Sequence, residues 1–160
     1  MFVNMRLPNR RSQVFTHAQG LRLLMSSTNS NPPDGSAPLI YLVDDEPLLL
    51  ELAEMVLDGN GYRFQKFQDP TEAWNAFRVA DPQPVLLITD YAMHGLNGVE
   101  LIIKCKGMCP GLRTILISGT VDEGILRDAP VKVEHFIRKP YRTTELAQTV
   151  RDILMRTARA

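Results

Sequence analysis

A chain of 160 residues with 44% hydrophobic and 22% charged residues has the make-up of a soluble globular protein, with apolar material for one core and something left over. Lysine plus arginine equals aspartate plus glutamate at 18 each, so no net field draws nucleic acid or an anionic membrane, and either partner would need a local patch. The apolar runs are too short to cross a bilayer, and a soluble, cytoplasmic domain is expected.

Residues 1–37 differ from the rest. They carry Arg6, Arg10, Arg11 and Arg22 and no acidic residue before Asp34, and they end in a run of Ser, Asn, Pro and Gly that cannot bury itself. A flexible basic extension is expected there, followed by one domain over 38–160. Within that domain Leu39-Ile40-Tyr41-Leu42-Val43 reads as a buried strand. A helix follows from Pro47, whose fixed φ suits a first helical position, with Leu49, Leu52 and Val56 at helical spacing, and Gly59-Asn60-Gly61 ends it. Tyr62 to Phe67 reads as a more polar edge strand. Asp69-Pro70-Thr71-Glu72 has the form of a helix start, with Ala73, Phe77 and Ala80 on the inner face.

A third strand is expected over Val85–Thr89 and a third helix from about Gly98, broken by Pro110-Gly111. Thr114 to Ile117 gives a fourth strand, Val121 to Ala129 a short, weakly patterned helix, and Val131 to Ile137 a fifth strand. A last helix starts near Thr143 with Leu146, Val150, Ile153 and Leu154 on one face. Cys105 and Cys109 lack the paired Cys-x-x-Cys units of a structural zinc site, and His17, His94 and His135 are scattered, so free thiols are expected. Five strands alternating with five helices imply a parallel sheet covered on both faces, a doubly wound α/β fold. Ligands of such folds sit at the carboxyl ends of the strands.

Those ends carry the chemistry. The first strand ends in Asp44-Asp45-Glu46, the third in Asp90, the fourth in Ser118-Gly119-Thr120 and the fifth in Lys139-Pro140. An aspartate after a strand is commonly a helix cap or turn residue, and a Ser-Gly pair is commonly just a turn. As a set they gather three carboxylates, a hydroxyl and an ammonium on one rim. Asp44, Asp45 and Asp90 against Lys139 leave two negative charges, which a divalent cation cancels. All-oxygen, carboxylate-rich ligation points to magnesium, which keeps several waters and binds beside phosphate oxygens. One carboxylate then stays ionised to attack phosphorus, with Lys139 and Ser118 placed to hold the transferred oxygens.

The segment from about Leu39 to Leu154 resembles the receiver domain of response regulators. The motifs that carry the likeness are Leu42-Val43-Asp44-Asp45-Glu46, Thr89-Asp90-Tyr91-Ala92-Met93-His94-Gly95-Leu96-Asn97-Gly98, Leu116-Ile117-Ser118-Gly119 and Arg138-Lys139-Pro140. The resemblance implies a flavodoxin-like five-stranded sheet in the order 2-1-3-4-5. It also implies Asp90 as phosphoacceptor and a magnesium ion held by Asp45 directly, Asp44 mainly through water, Asp90, and the backbone carbonyl of Ala92. Lys139 would contact the phosphoryl group, with a cis peptide before Pro140, and Ser118 and Phe136 would switch inward together. The usual Met-Pro-Gly after the acceptor reads Met93-His94-Gly95 here, and His94 is read as an exposed substitution.

Such a module would take its phosphoryl group from a sensor histidine kinase or histidine phosphotransfer protein. It would signal to a protein target through the face of the fourth helix, fifth strand and fifth helix, a face that also leaves a homodimer open. No enzyme activity on an external substrate, no nucleic acid and no membrane is expected. The chain ends just after the last helix, so a stand-alone receiver is the expectation. Two other readings compete. A pseudo-receiver scaffold is disfavoured because Asp45, Asp90, Ser118 and Lys139 are all present. An aspartyl-phosphate enzyme of haloacid dehalogenase type needs Asp-x-Asp, where Asp44-Asp45-Glu46 reads Asp-x-Glu.

Overall fold

The computed structural model describes residues 37–120 and 130–157. The expected extension, up to residue 36, and the expected short helix at 121–129 lie outside the described residues. In chain order the elements are β1 Leu39–Val43, α1 Pro47–Leu57, β2 Arg63–Phe67, α2 Pro70–Phe77, β3 Leu86–Asp90, α3 Gly98–Met108, β4 Arg113–Ser118, β5 His135–Arg138 and α4 Thr143–Thr157. All sheet pairings are parallel, in the order β2-β1-β3-β4-β5, so the polar strand Arg63–Phe67 is an edge as its composition implies.

Successive strand residues point to opposite faces, and this sheet buries both. Ile40, Leu42, Leu86, Ile88, Ile115 and Ile117 pack on one face with Leu50, Ala53 and Leu57 of α1 and Leu146, Val150 and Ile153 of α4. Tyr41, Val43, Leu87 and Leu116 pack on the other with Ala73 and Phe77 of α2 and Leu101, Ile102 and Cys105 of α3. Each fully buried Leu or Ile contributes about 1.5–3 kcal/mol relative to exposure, which is why the strands read as unbroken apolar runs.

Several boundaries and one helix face differ from the sequence expectation. The inner face of α1 is Leu50, Ala53 and Leu57, one residue later than Leu49, Leu52 and Val56. The run Leu48-Leu49-Leu50 offers two phases of nearly equal hydrophobicity, and docking on the sheet selects the later one. Leu48 and Met55 are left in solvent. Helix α2 stops at Phe77, so Ala80 lies beyond it, and β5 begins only at His135 rather than Val131. Strand β3 is shifted one residue on, ending at Asp90 itself, and β4 runs through Ser118. The two glycines after α1 have φ of 77° and 75°, the left-handed backbone that ends a helix cheaply only at glycine.

Capping follows the sequence at α2, where the Asp69 side chain accepts from Thr71 N behind Pro70. At α3, Asn97 and Glu100 form a reciprocal capping box. The Asn-x-x-Glu spacing was a legible signal for it.

The polar link that closes the lower end of the sheet is not legible in sequence. Lys106 Nζ donates to Glu134 Oε1 (2.7 Å), and Thr114 donates to Glu134 Oε2 through both its amide (2.8 Å) and its hydroxyl (2.7 Å). Burial alone would push the Glu134 carboxyl up, but these donors outweigh it and hold the carboxyl below its ordinary value. A depressed folded pKa stabilises the fold above the unfolded value near 4.5 and loses that contribution as pH falls through the folded value. Glu134→Gln is therefore expected to cost about 1–3 kcal/mol at neutral pH, leaving the half-buried Lys106 uncompensated. Urea unfolding of both proteins at pH 7 and again near pH 3 checks this. The difference should shrink in acid, and a constant difference would contradict the ionic origin.

Candidate functional site

The carboxyl ends of β1, β3, β4 and β5 are aligned by strand register, with Val43 opposite Thr89, and main-chain bonds just past the strands join β1 to β2, β3 to β4 and β5 to β4. Asp44 N donates to Phe67 O (3.1 Å), Tyr91 N to Ile117 O (2.9 Å) and Lys139 N to Ser118 O (2.8 Å). The sheet order thus brings to one rim side chains that lie up to 95 residues apart in sequence.

Asp90, 5% exposed, is at the centre. Its Oδ2 accepts from Ala92 N at 2.6 Å and its Oδ1 meets Lys139 Nζ at 2.7 Å. The same ammonium donates to Asp44 Oδ2 at 3.2 Å. Asp44, 8% exposed, uses Oδ1 to accept from Glu46 N at the entry to α1 (2.9 Å). Gly98, first residue of α3, lies directly against the Asp90 carbonyl, where no side chain would fit. Its amide donates to Tyr91 O (3.0 Å), so the start of α3 is fixed to the end of β3.

Burial pushes the Asp44 carboxyl up, and the neighbouring Asp90 charge adds to this, although the Glu46 amide and Lys139 pull it down. Lys139 moves the other way from what burial dictates. Burial disfavours its charge, but the hydrogen bond to Asp90 and the two carboxylate fields win and raise its pKa. Lys139 is therefore a fixed ammonium, and the rim still carries more carboxylate than it can neutralise.

The remaining expected site residues fall in or beside this cluster. Asp45 sits outside Asp44 with its side chain 35% exposed, and its Oδ2 lies 3.5 Å from Nδ1 of the fully exposed His94. Ser118 is buried, and its hydroxyl accepts from Thr120 N at 3.1 Å. Phe136 is half-buried against the α2–α3 face of the sheet, and the Lys139–Pro140 peptide is cis. Cys105 and Cys109 are free thiols, with burial pushing Cys105 up to about 12, outside any reactive range.

Tyr141 was missed in the sequence. It lines a cleft of about 20 Å³ together with Asp44 and Asp90, and burial first, then the two carboxylates against Lys139, raise its hydroxyl pKa. That volume is about the size of one water, so this cleft does not hold an organic substrate.

Among the described residues no three His, Cys, Asp or Glu side chains converge as a ready-made metal cage. A hard divalent cation held by one or two carboxylates and otherwise by water does not require one. The donor chemistry fits such an ion, because the buried Asp44 and Asp90 share a single ammonium.

The model of the response regulator receiver domain family matches residues 40–151. The DNA-binding response regulator MtrA of Mycobacterium tuberculosis is 30% identical over 119 residues, which make up 73% of this chain and 50% of that protein. The probable transcriptional regulatory protein TcrX of the same organism is 27% identical over 125 residues, 78% of this chain and 53% of that one. This chain thus spans about half the length of the curated relatives it matches. Among solved structures, a CheY-like receiver domain protein from Methanospirillum hungatei superposes with a TM-score of 0.71 at 21% identity, covering 78% of this chain and 98% of its own.

Proposed function

The chain belongs to the response regulator receiver family, and on that premise we propose that it is a phosphoacceptor signalling module in which Asp90 takes a phosphoryl group from a histidine kinase or a histidine phosphotransfer protein. The observation that carries this reading is Lys139 Nζ lying 2.7 Å from Asp90 Oδ1 at the mouth of a parallel sheet. In the reaction a carboxylate oxygen of Asp90 attacks phosphorus. The bond from phosphorus to the donor's leaving group breaks, and the electron pair leaves with the donor.

Asp45, Asp44, Asp90 and the Ala92 carbonyl are the groups we assign to hold magnesium, which when bound offsets the carboxylate charge and the charge on the transferring oxygens. Lys139, released from the consumed carboxylate charge, follows it onto a phosphoryl oxygen, and Ser118 donates to another. Exchange of a carboxylate near −1 for a group near −2 then draws the β4 and β5 ends together and biases the face around β5 and α4. We assign the downstream protein partner to that face, and Phe136, half-buried on β5, to the coupling. The donor protein approaches across the rim, where Leu48 of α1 stands exposed beside the acidic turn.

The reading is of a switch without an external substrate, supported by the small size of the cleft at Asp44 and Asp90. The DNA-binding label of MtrA describes that protein. For this chain, with 18 basic against 18 acidic residues, we propose protein partners and a cytoplasmic place of work. Among the described residues no helix is long and apolar enough to cross a membrane. A phosphorylation-independent scaffold is the weaker reading, because it leaves the buried Asp44–Lys139–Asp90 cluster without a purpose.

The test is intact mass after incubation with acetyl phosphate and magnesium, with and without chelator. Gain of one phosphoryl group that chelation abolishes is expected. Absence of any adduct, together with no metal-dependent binding of beryllium fluoride, would turn the assignment to a scaffold.

A further inference from the structure

His94 is fully exposed, yet its ring is turned so that Nδ1 lies 3.5 Å from Asp45 Oδ2. Gly95 follows with φ of 81°, a left-handed backbone that suits glycine. An exposed histidine–carboxylate contact contributes little to stability, so folding alone does not account for a histidine in this place. The separation matches a coordination edge. An imidazole nitrogen and a carboxylate oxygen bound to one ion at about 2.0–2.2 Å, with a tetrahedral angle between them, stand about 3.4 Å apart. Both groups face solvent, so a hydrated ion has access and water can fill its remaining positions.

We propose that His94 and Asp45 form a mixed nitrogen–oxygen arm that makes the metal site of this protein favour a borderline divalent transition ion, of the cobalt, nickel and zinc class, over magnesium. Carboxylate, carbonyl and water suit magnesium, whereas an imidazole ligand suits the transition ions and adds to their already greater affinity for a given donor set. His94 is then a specificity-determining ligand. It lies in the loop between β3 and α3, four residues after Asp90. The inference rests on the reading of the acidic rim as a metal site, and its test separates the two.

Magnesium and cobalt(II) are each titrated calorimetrically into the full chain, into His94→Ala and into Asp45→Asn, with the visible spectrum of bound cobalt recorded alongside. His94→Ala is expected to change the magnesium dissociation constant by less than about twofold and to weaken cobalt by about tenfold or more, the usual scale for groups that tune a metal site. The cobalt spectrum should change with it, and Asp45→Asn should weaken both ions. An unchanged cobalt constant in His94→Ala, with Asp45→Asn still weakening both, overturns the role of His94 and leaves the receiver reading standing. If Asp45→Asn binds both ions as the parent does, or the parent binds neither, the rim is not the metal site and both readings fall.

Discussion

Asp90→Asn is expected to abolish phosphoryl uptake from acetyl phosphate outright while leaving the protein folded. An amide is no nucleophile toward phosphorus at neutral pH, and no other carboxylate at the rim is equivalent. Asp44 is held by the Glu46 amide and Lys139, and Asp45 is turned outward toward His94. The asparagine carbonyl can still accept from Ala92 N, so the loop after β3 keeps its anchor.

Stability should change little, because two linkage contributions of opposite sign meet at Asp90. The Asp44 carboxyl titrates above its ordinary 3.8, by burial first and with the Asp90 charge adding to it. A raised folded pKa means the folded protein holds the proton more tightly than the unfolded chain, so the contribution is lost as pH rises, and the ionised form carries a cost near neutrality. Removing the Asp90 charge lightens that cost, but Lys139, whose pKa is raised against burial mostly by the Asp90 hydrogen bond, loses part of its own stabilising contribution, so the two changes oppose each other. Intact mass and a thermal melt, taken on the same samples, check both halves. An adduct on Asp90→Asn would move the acceptor elsewhere, and a collapsed melting curve would mean that Asp90 is needed structurally.

How far these features were legible in the sequence depends on what each one rests on. Asp44, Asp90, Ser118 and Lys139 each follow an apolar run, and the parallel topology converts that position in the chain into a position on the rim. Short unbroken apolar runs gave β1, β3 and β4, because both faces of the sheet are covered, and apolar residues at a spacing of about 3.6 gave most helices. Where hydrophobicity was redundant, as in Leu48-Leu49-Leu50, periodicity could not choose the phase of α1, and packing against β1 chose it. The rank order within the rim was not legible either. Asp44 being the inner carboxylate and Asp45 the outer one follows from the turn into α1, where Asp44 accepts from Glu46 N. Lys106, Thr114 and Glu134 meet across 20 and 28 residues with no repeating pattern to announce them. The close approach of Gly98 to β3 shows in the sequence only as a glycine where a helix begins.

That close approach supports the largest stability effect expected in this protein. An added Cβ at Gly98 would fall on the Asp90 carbonyl oxygen and come to 2.7 Å from Leu116 Cδ1, closer than real Cβ contacts occur. A leucine methyl can turn aside, but a backbone carbonyl in the middle strand of a sheet cannot. The start of α3 must lift away, straining the Gly98 N to Tyr91 O bond and the Asn97 cap. Overpacking commonly costs about 1–3 kcal/mol, and a clash with main chain belongs at or above the upper end. Against a total of about 5–15 kcal/mol, that is a fall in melting temperature on the order of 10 °C, with slower phosphoryl uptake because Asp90 shifts with its carbonyl.

Gly107, nine residues on in the same helix, provides the control. Its Cβ would meet nothing within 4 Å, so Gly107→Ala should stabilise by about 0.5–1 kcal/mol through helix propensity alone. Two glycine-to-alanine changes in one helix are thus expected to shift urea midpoints in opposite directions. If both stabilise, α3 does not press on the end of β3, and the geometry that holds Asp90 in place has to come from the loop between them.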